Sequence, residues 1–245
     1  MNKIRVTIWN EYHHEKKEGK ARDLYPNGMH MTLAEKLADD GLEIRVATLD
    51  MPEHGLTDEV LNSTDVLLWW GHCRHDDVED RIAAKVARRV KDGMGLVALH
   101  SAHYSKPFRL LMGTDCNLRW RNWGERGRVW TVNPTHPIAK GIPSSFMLEA
   151  EEMYGEFFNI PNPDDLIFVT WWEGGEVFRG GCTFTRGLGK IFYFHPGHET
   201  CPSYHNDTVI KVIRNGIDWA NPAGYQFENP GHFRDPDEPI VNKDV

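Results

Sequence analysis

The stretch Gly95-Leu96-Val97-Ala98-Leu99-His100-Ser101-Ala102-His103 puts an imidazole directly behind an unbroken apolar run. Such a run reads as a strand buried on both faces of a parallel sheet. A side chain just past the carboxyl end of that strand faces the crevice where doubly wound α/β proteins bind ligands. An imidazole there can ligate a metal, carry a proton or donate a hydrogen bond. The run Ile191-Phe192-Tyr193-Phe194-His195-Pro196-Gly197-His198-Glu199 repeats the design, and Trp70-Gly71-His72-Cys73-Arg74-His75 ends a third strand. Carboxylates come from Glu151-Glu152-Met153-Tyr154-Gly155-Glu156. The carboxyl ends of adjacent parallel strands share one edge, so these clusters are expected to meet. Imidazoles with a carboxylate suit a divalent metal, Zn²⁺ above all. They suit metal-free acid–base chemistry equally well.

A lone histidine behind a strand often only caps backbone groups, so the argument rests on several sharing one edge. His75 and His205 read as solvated, His54 as loop surface and His136-Pro137 as a turn. Strand alternation sends Glu151 outward if Glu152 points in. The pairs Trp69-Trp70 and Trp171-Trp172 read as core and sheet packing. Trp120 and Trp123, among the arginines of RWRNWGERGR, fit either stacking on a sugar ring or a subunit contact. A nucleophile elbow needs Cys or Ser on a tight strand-to-helix turn. His100 holds that position, Ser101 is expected to point elsewhere, and neither Cys73 nor Cys201 lies in an elbow. Covalent catalysis is therefore not expected. No GxGxxG or GxxxxGK[ST] occurs, so a nucleotide cofactor has no support either.

The elements that must position these groups follow from periodicity. Strands are expected at 3–9, 43–49, 65–70 and 94–100, alternating with helices at 29–40 (closed by Gly41), 58–62, 76–92 and one ending near 112. That alternation argues for a parallel sheet with helices on both faces. Residues 115–165 read as a long irregular insertion with short strands near 128–132 and 146–149, of a kind more often functional than idle. Strands return at 166–172, 176–185 and 190–195, with hairpin turns at Gly174-Gly175 and Arg186-Gly187-Leu188-Gly189. A helix over 205–220 completes one domain, residues 1–221, and 222–245 are expected to form an extended polar tail.

Bulk properties narrow the class. A chain of 245 residues, 40% hydrophobic, can build one large α/β domain. Its formal charge of -8 disfavours nucleic acid and anionic membrane as partners. No apolar run reaches the roughly 20 residues that cross a bilayer, and MNKIRVTIWN lacks a signal-peptide core. Cys73, Cys116, Cys182 and Cys201 are scattered without CxxC spacing, which fits reduced thiols in the cytoplasm.

Taken together, WNEYHHE, YPNGMH, EHGLT, DVLLWWGH, GMGLVALHSAHYSK, LMGTDCNLRWR, HPIAKGI, EEMYGE, GGEVFRGG and IFYFHPGHETCP resemble the ThuA-like trehalose-utilisation family. The resemblance covers about residues 3–220. It implies a flavodoxin-like three-layer αβα sandwich with a mostly parallel sheet, of the class I glutamine amidotransferase-like kind. FHPGHE is similar to the amidotransferase segment FHPE, whose catalytic histidine would be His195. His100 replaces the amidotransferase cysteine, which argues against glutamine hydrolysis through a thioester. By position, the family's recurrent polar residues fall on His100, Glu152, Tyr154 and His198.

The resemblance further implies catabolism of trehalose or related disaccharides, alongside a dehydrogenase that makes a 3-keto sugar. An isomerase, lyase or hydrolase acting by proton transfer next to the carbonyl is the leading expectation. His100, Glu152 and His198 would be catalytic, while Tyr154, Trp120 and Trp123 would bind substrate. His72, His103 and His195 would hold a metal, with Zn²⁺ favoured, or orient the other groups. The competing expectations are a non-catalytic sugar-binding protein and a metal-dependent hydrolase of another small polar molecule. The arginine- and tryptophan-rich segment and the tail also suggest a homo-oligomer.

Overall fold

Apolar runs alternating with amphipathic helices build a nine-stranded sheet in the computed structural model, which describes residues 3–222, 235–239 and 241. The first strands are β1 (Ile4–Asn10), β2 (Leu42–Thr48), β3 (Val66–Trp70) and β4 (Gly95–Leu99). Next come β5 (Arg119–Thr131), β6 (Ser145–Gly155), β7 (Asp165–Trp172), β8 (Val177–Arg186) and β9 (Gly189–Phe194). The helices are α1 (Lys20–Leu24), α2 (Met29–Leu37), α3 (Asp58–Asn62), α4 (Asp80–Lys91), α5 (Lys106–Met112) and α6 (Asp207–Ala220). Across the sheet the order is β2-β1-β3-β4-β9-β8-β7-β5-β6. Pairing is parallel from β2 to β9 and antiparallel from β9 to β6, so the sheet is mixed.

Two apolar cores make the three layers. On one face Leu67, Trp69, Leu96, Ala98, Ile191 and Tyr193 pack against Leu61 of α3, Ile82, Val86 and Val90 of α4 and Phe108 of α5. On the other, Leu68, Trp70, Val97, Leu99, Phe192 and Phe194 meet Leu33 of α2 and Val209, Val212, Ile213 and Ile217 of α6. Each fully buried aliphatic side chain contributes roughly 1.5–3 kcal/mol, which explains why these runs contain no polar interruption. Local signals set the helix starts. Thr57, Ser105 and Asn206 accept amide hydrogens at the beginnings of α3, α5 and α6.

Several expectations change. The helix expected over 76–92 starts at Asp80 because a turn of 3₁₀ helix, His75–Asp77, precedes it. α2 stops at Leu37, three residues before the expected end, and Gly41 does not close it. The supposed irregular insertion is two long strands, β5 and β6, so RWRNWGERGR is strand rather than loop. Both expected hairpins form, joining β7 to β8 and β8 to β9. The tail expectation lies largely outside the described residues. Trp171 is 46% exposed, unlike its neighbour Trp172, because successive strand residues face opposite sides.

The register aligns the site. Trp70 of β3 pairs with Leu99 of β4, which pairs with Phe194 of β9. His72, His100 and His195 therefore leave one edge side by side.

Candidate active site

His100 occupies the sharp bend where β4 ends, with φ at +53°. That left-handed backbone is costly for a residue with a Cβ, and it turns the ring beneath the sheet edge. Its Nδ1–H donates to the His195 carbonyl at 2.9 Å, which fixes the tautomer. The imidazole is fully buried and stacks on Tyr154 with centroids 4.9 Å apart. Its Nε2 lies 3.1 Å from Glu152 Oε2 and 3.4 Å from the Tyr154 hydroxyl. Ser101 does not point away as expected. Its Oγ is 2.6 Å from the Tyr154 hydroxyl, and it lines the cavity described below.

Glu152 comes from β6, which brings the carboxylate over the parallel edge. Its Oε2 is buried without an aligned hydrogen bond among the described residues. Burial works to raise its pKa, but contact with His100 and the nearby His198 and His72 bring it below the usual carboxylate value. Glu151, expected to face outward, is fully buried on the opposite side of the strand. It accepts the backbone N–H groups of Gly197 (2.8 Å) and His198 (3.0 Å) and the hydroxyl of Ser203. A second buried carboxylate, Glu11, accepts the amides of His72, Cys73 and Arg74 at 2.7–3.1 Å. These two acids anchor the loops that carry His198 and His72. The sequence has no signal for Glu11, which follows no apolar run ending in histidine, and strand alternation points Glu151 outward.

His198 donates from Nδ1–H to Thr200 Oγ1 at 2.9 Å, and Nε2 accepts from the Asn122 amide at 3.1 Å. In that tautomer the Thr200 amide, 3.2 Å from Nδ1, is the contact given up. Burial, then the charge of His100, lowers the His198 pKa to about 4, so the ring is neutral near pH 7. His72 donates from Nδ1–H to Glu199 Oε2 at 2.9 Å, leaving its Nε2 lone pair. Glu199 Oε1 is held 2.8 Å from His14 Nδ1. Burial opposes ionisation of Glu199, yet its contacts with His14 and His72 keep it far below the carboxylate range.

One atom each from His72, Glu152 and His198 lies within 4.8 Å of the others. The His72 Nε2 lone pair, the His198 Nε2 lone pair once the Asn122 amide yields it, and a carboxylate oxygen of Glu152 fit a divalent cation. Glu199 behind His72 supplies the usual outer support of such a ligand. His103 and His195, the other expected metal residues, stand outside this trio. His103 donates Nδ1–H to the Cys116 carbonyl at 2.7 Å, and burial lowers its pKa to about 3. His195 donates Nε2–H to the Glu152 carbonyl at 3.0 Å and tethers β6 to the end of β9.

A cavity of ≈ 260 Å³ opens over these groups. His72, Ser101, His103, Glu152, Tyr154 and Trp120 are among its lining residues, whereas His100 and His198 lie behind. Trp120 is 66% exposed at the cavity mouth. Trp123, 79% exposed, lies outside the lining beneath the Arg121 guanidinium, 5.1 Å from its ring centre. His75 is buried and lines the cavity rather than facing bulk water, because the turn after β3 folds it inward.

Fold and edge site together define a three-layer α/β protein with a mixed nine-stranded sheet, whose parallel half runs in the flavodoxin-like order β2-β1-β3-β4-β9. The ThuA, trehalose-utilisation, family pattern matches residues 5–220, and the chain belongs to that family. It is similar in structure to a ThuA-like protein from Bacteroides uniformis, with TM-score 0.63 and 18% identity over 90% of this chain and 95% of that one. A cytoplasmic protein from Salmonella typhimurium LT2 gives TM-score 0.61 at 12% identity, covering 89% of this chain and all (100%) of the other. A protein described as part of a GMP synthase, from Thermoplasma acidophilum, gives 0.50 at 13% identity over 89% and 94%. No curated protein matches. Among the described residues no helix is long and apolar enough to cross a membrane.

Proposed function

We propose that the chain is a carbohydrate enzyme that transfers a proton next to the carbonyl of a 3-keto disaccharide. The carrying observation is the buried Glu152 carboxylate, whose Oε2 has no aligned hydrogen bond and lies 3.1 Å from the His100 ring, at the junction of the histidine cluster and the cavity wall. Glu152 receives the proton from the carbon beside the carbonyl. His100, 3.1 Å behind, shares that proton and holds the carboxylate in place. The Tyr154 hydroxyl, tied to Ser101, donates a hydrogen bond to the substrate oxygen where charge develops. Neutral His103 keeps its Nε2 lone pair for a sugar hydroxyl, and Trp120 offers a face for the ring. His72, Glu152 and His198 would hold a divalent cation, which when bound supplies Lewis-acid polarisation of the carbonyl.

The cavity falls just below the ~300–1,000 Å³ of typical small-molecule clefts, so one sugar ring enters and the second stays at the mouth beside Trp120. The four cysteines are free, in keeping with a cytoplasmic setting beside the dehydrogenase that makes the keto sugar. We assign it a homo-oligomeric state on its exposed aromatic strand β5.

The test incubates purified protein with 3-ketotrehalose, with and without chelator, and follows products. Turnover that falls at least 100-fold in Glu152→Gln is the expected result. Saturable binding with no product under any metal condition would overturn it and leave a sugar-binding protein.

A further inference from the structure

We infer that a second, sulfur-containing metal site stands beside His72, outside the cavity lining, built from His13, His14 and Cys73 and suited to a zinc-class divalent cation. One ligand atom from each of these residues lies within 4.8 Å of the others. The site shares no ligand with the trio of His72, Glu152 and His198.

Glu199 explains how both sites can exist. Its two oxygens take Nδ1 of His14 and Nδ1 of His72, at 2.8 and 2.9 Å. The His72 bond fixes the tautomer that leaves Nε2 a lone pair, the nearness of Oε1 favours the same tautomer in His14, and a carboxylate on the far nitrogen raises that lone pair's basicity. Nε2 of His14 lies 3.7 Å from Cys73 Sγ, a separation compatible with two ligands on one small ion.

The chain around these residues is held before any ion arrives. Tyr12, directly before the two histidines, adopts φ +46°, and its amide donates to Asn10 Oδ1 at 2.9 Å. Asn10 in turn donates to buried Glu15 at 2.7 Å, and Glu15 accepts the Met29 amide. On the other side, Glu11 accepts the Cys73 amide, so the sulfur-bearing loop is equally fixed. Two contacts must yield. Lys17 Nζ, 2.8 Å from His13 Nε2, swings into water, and the Cys73 S–H now directed at Glu11 Oε1 (3.3 Å) loses its proton to solvent as the thiolate binds. Three protein ligands leave a fourth position for water. Ligation would tie the loop after β1 to the loop after β3.

The test titrates cobalt(II) into the full chain and reads the thiolate-to-cobalt charge-transfer band in the near ultraviolet, with metal content measured after dialysis. Two equivalents bind, and the band is expected. Cys73→Ser removes the band and one equivalent, and His14→Ala does the same. Glu152→Gln keeps the band while losing the other equivalent. If Glu152→Gln instead retains both equivalents, the cation reading of the cavity fails and this site stands. A wild-type spectrum without the thiolate band overturns the inference. So does a band that survives Cys73→Ser, since it would then belong to Cys116, Cys182 or Cys201, all buried elsewhere.

Discussion

His100 is the residue at which local backbone preference loses to function. A side chain at φ +53° costs roughly 1–2 kcal/mol relative to an ordinary conformation. The ring's bond to the His195 carbonyl and its packing on Tyr154 hold it there. His100→Gly should therefore be more stable than His100→Ala by about 1 kcal/mol in urea unfolding, although both lack the imidazole. Equal stabilities would mean that the bend carries no strain. Glu151 provides the companion case. Its carboxylate accepts three backbone N–H groups, of Glu152, Gly197 and His198, and the Ser203 hydroxyl, so Glu151→Gln, with one oxygen fewer, leaves a buried donor unmatched. The expected loss is about 1–3 kcal/mol, seen as a lower denaturation midpoint. The sequence shows the strand-end histidines because an apolar run stopping at an imidazole is a local pattern. It hides Glu151, because strand alternation assumes that one face meets water, and here both faces of β6 are covered at that point.

The two halves of the sheet differ in how openly their sequences declare them. β3, β4 and β9 are buried on both faces and read as near-continuous apolar runs, so their existence and order along the chain are plain. β5 is mostly solvent-facing, and its pairing with β6 shifts register between Arg121 and Glu125. A bulge breaks the period of two, and the strand then reads as a polar, aromatic loop. The same bulge separates the two tryptophans. Trp120 precedes it and reaches the cavity, whereas Trp123 lies within it beneath Arg121, which is braced by Glu125 and Glu176. Trp120→Ala is expected to weaken disaccharide binding about 3- to 10-fold, from the loss of roughly 0.5–1.5 kcal/mol of ring contact beyond simple area burial. Trp123→Ala should leave affinity within twofold. Titration calorimetry distinguishes the two, and equal losses would place the sugar along the whole of β5.

At the scale of the molecule, buried imidazoles set how stability depends on pH. Burial lowers His30 and His75 to about 4 and His103 to about 3, and carries His195 well below its ordinary value. In the unfolded chain each titrates near 6.5. The folded-state values are depressed, so the stability linked to these groups is whole above pH 6.5. It drains as pH falls toward 4, because only the unfolded chain takes up the protons. His14 and His72 act in the opposite sense. Their values are raised, His14 chiefly by Glu199 and His72 by Glu199 against burial, so their contribution is full at low pH and fades as pH rises. His198, also near 4, and His13 and His136, lowered as well, act with these four. Seven depressed imidazoles thus outweigh two raised ones, and each net proton contributes about 1.4 kcal/mol per pH unit. In chelator, the urea midpoint should fall steadily from pH 6.5 to 4.5, before ordinary carboxylates titrate. A midpoint that stays flat or rises over that interval would mean that these rings are hydrated and protonated in the fold.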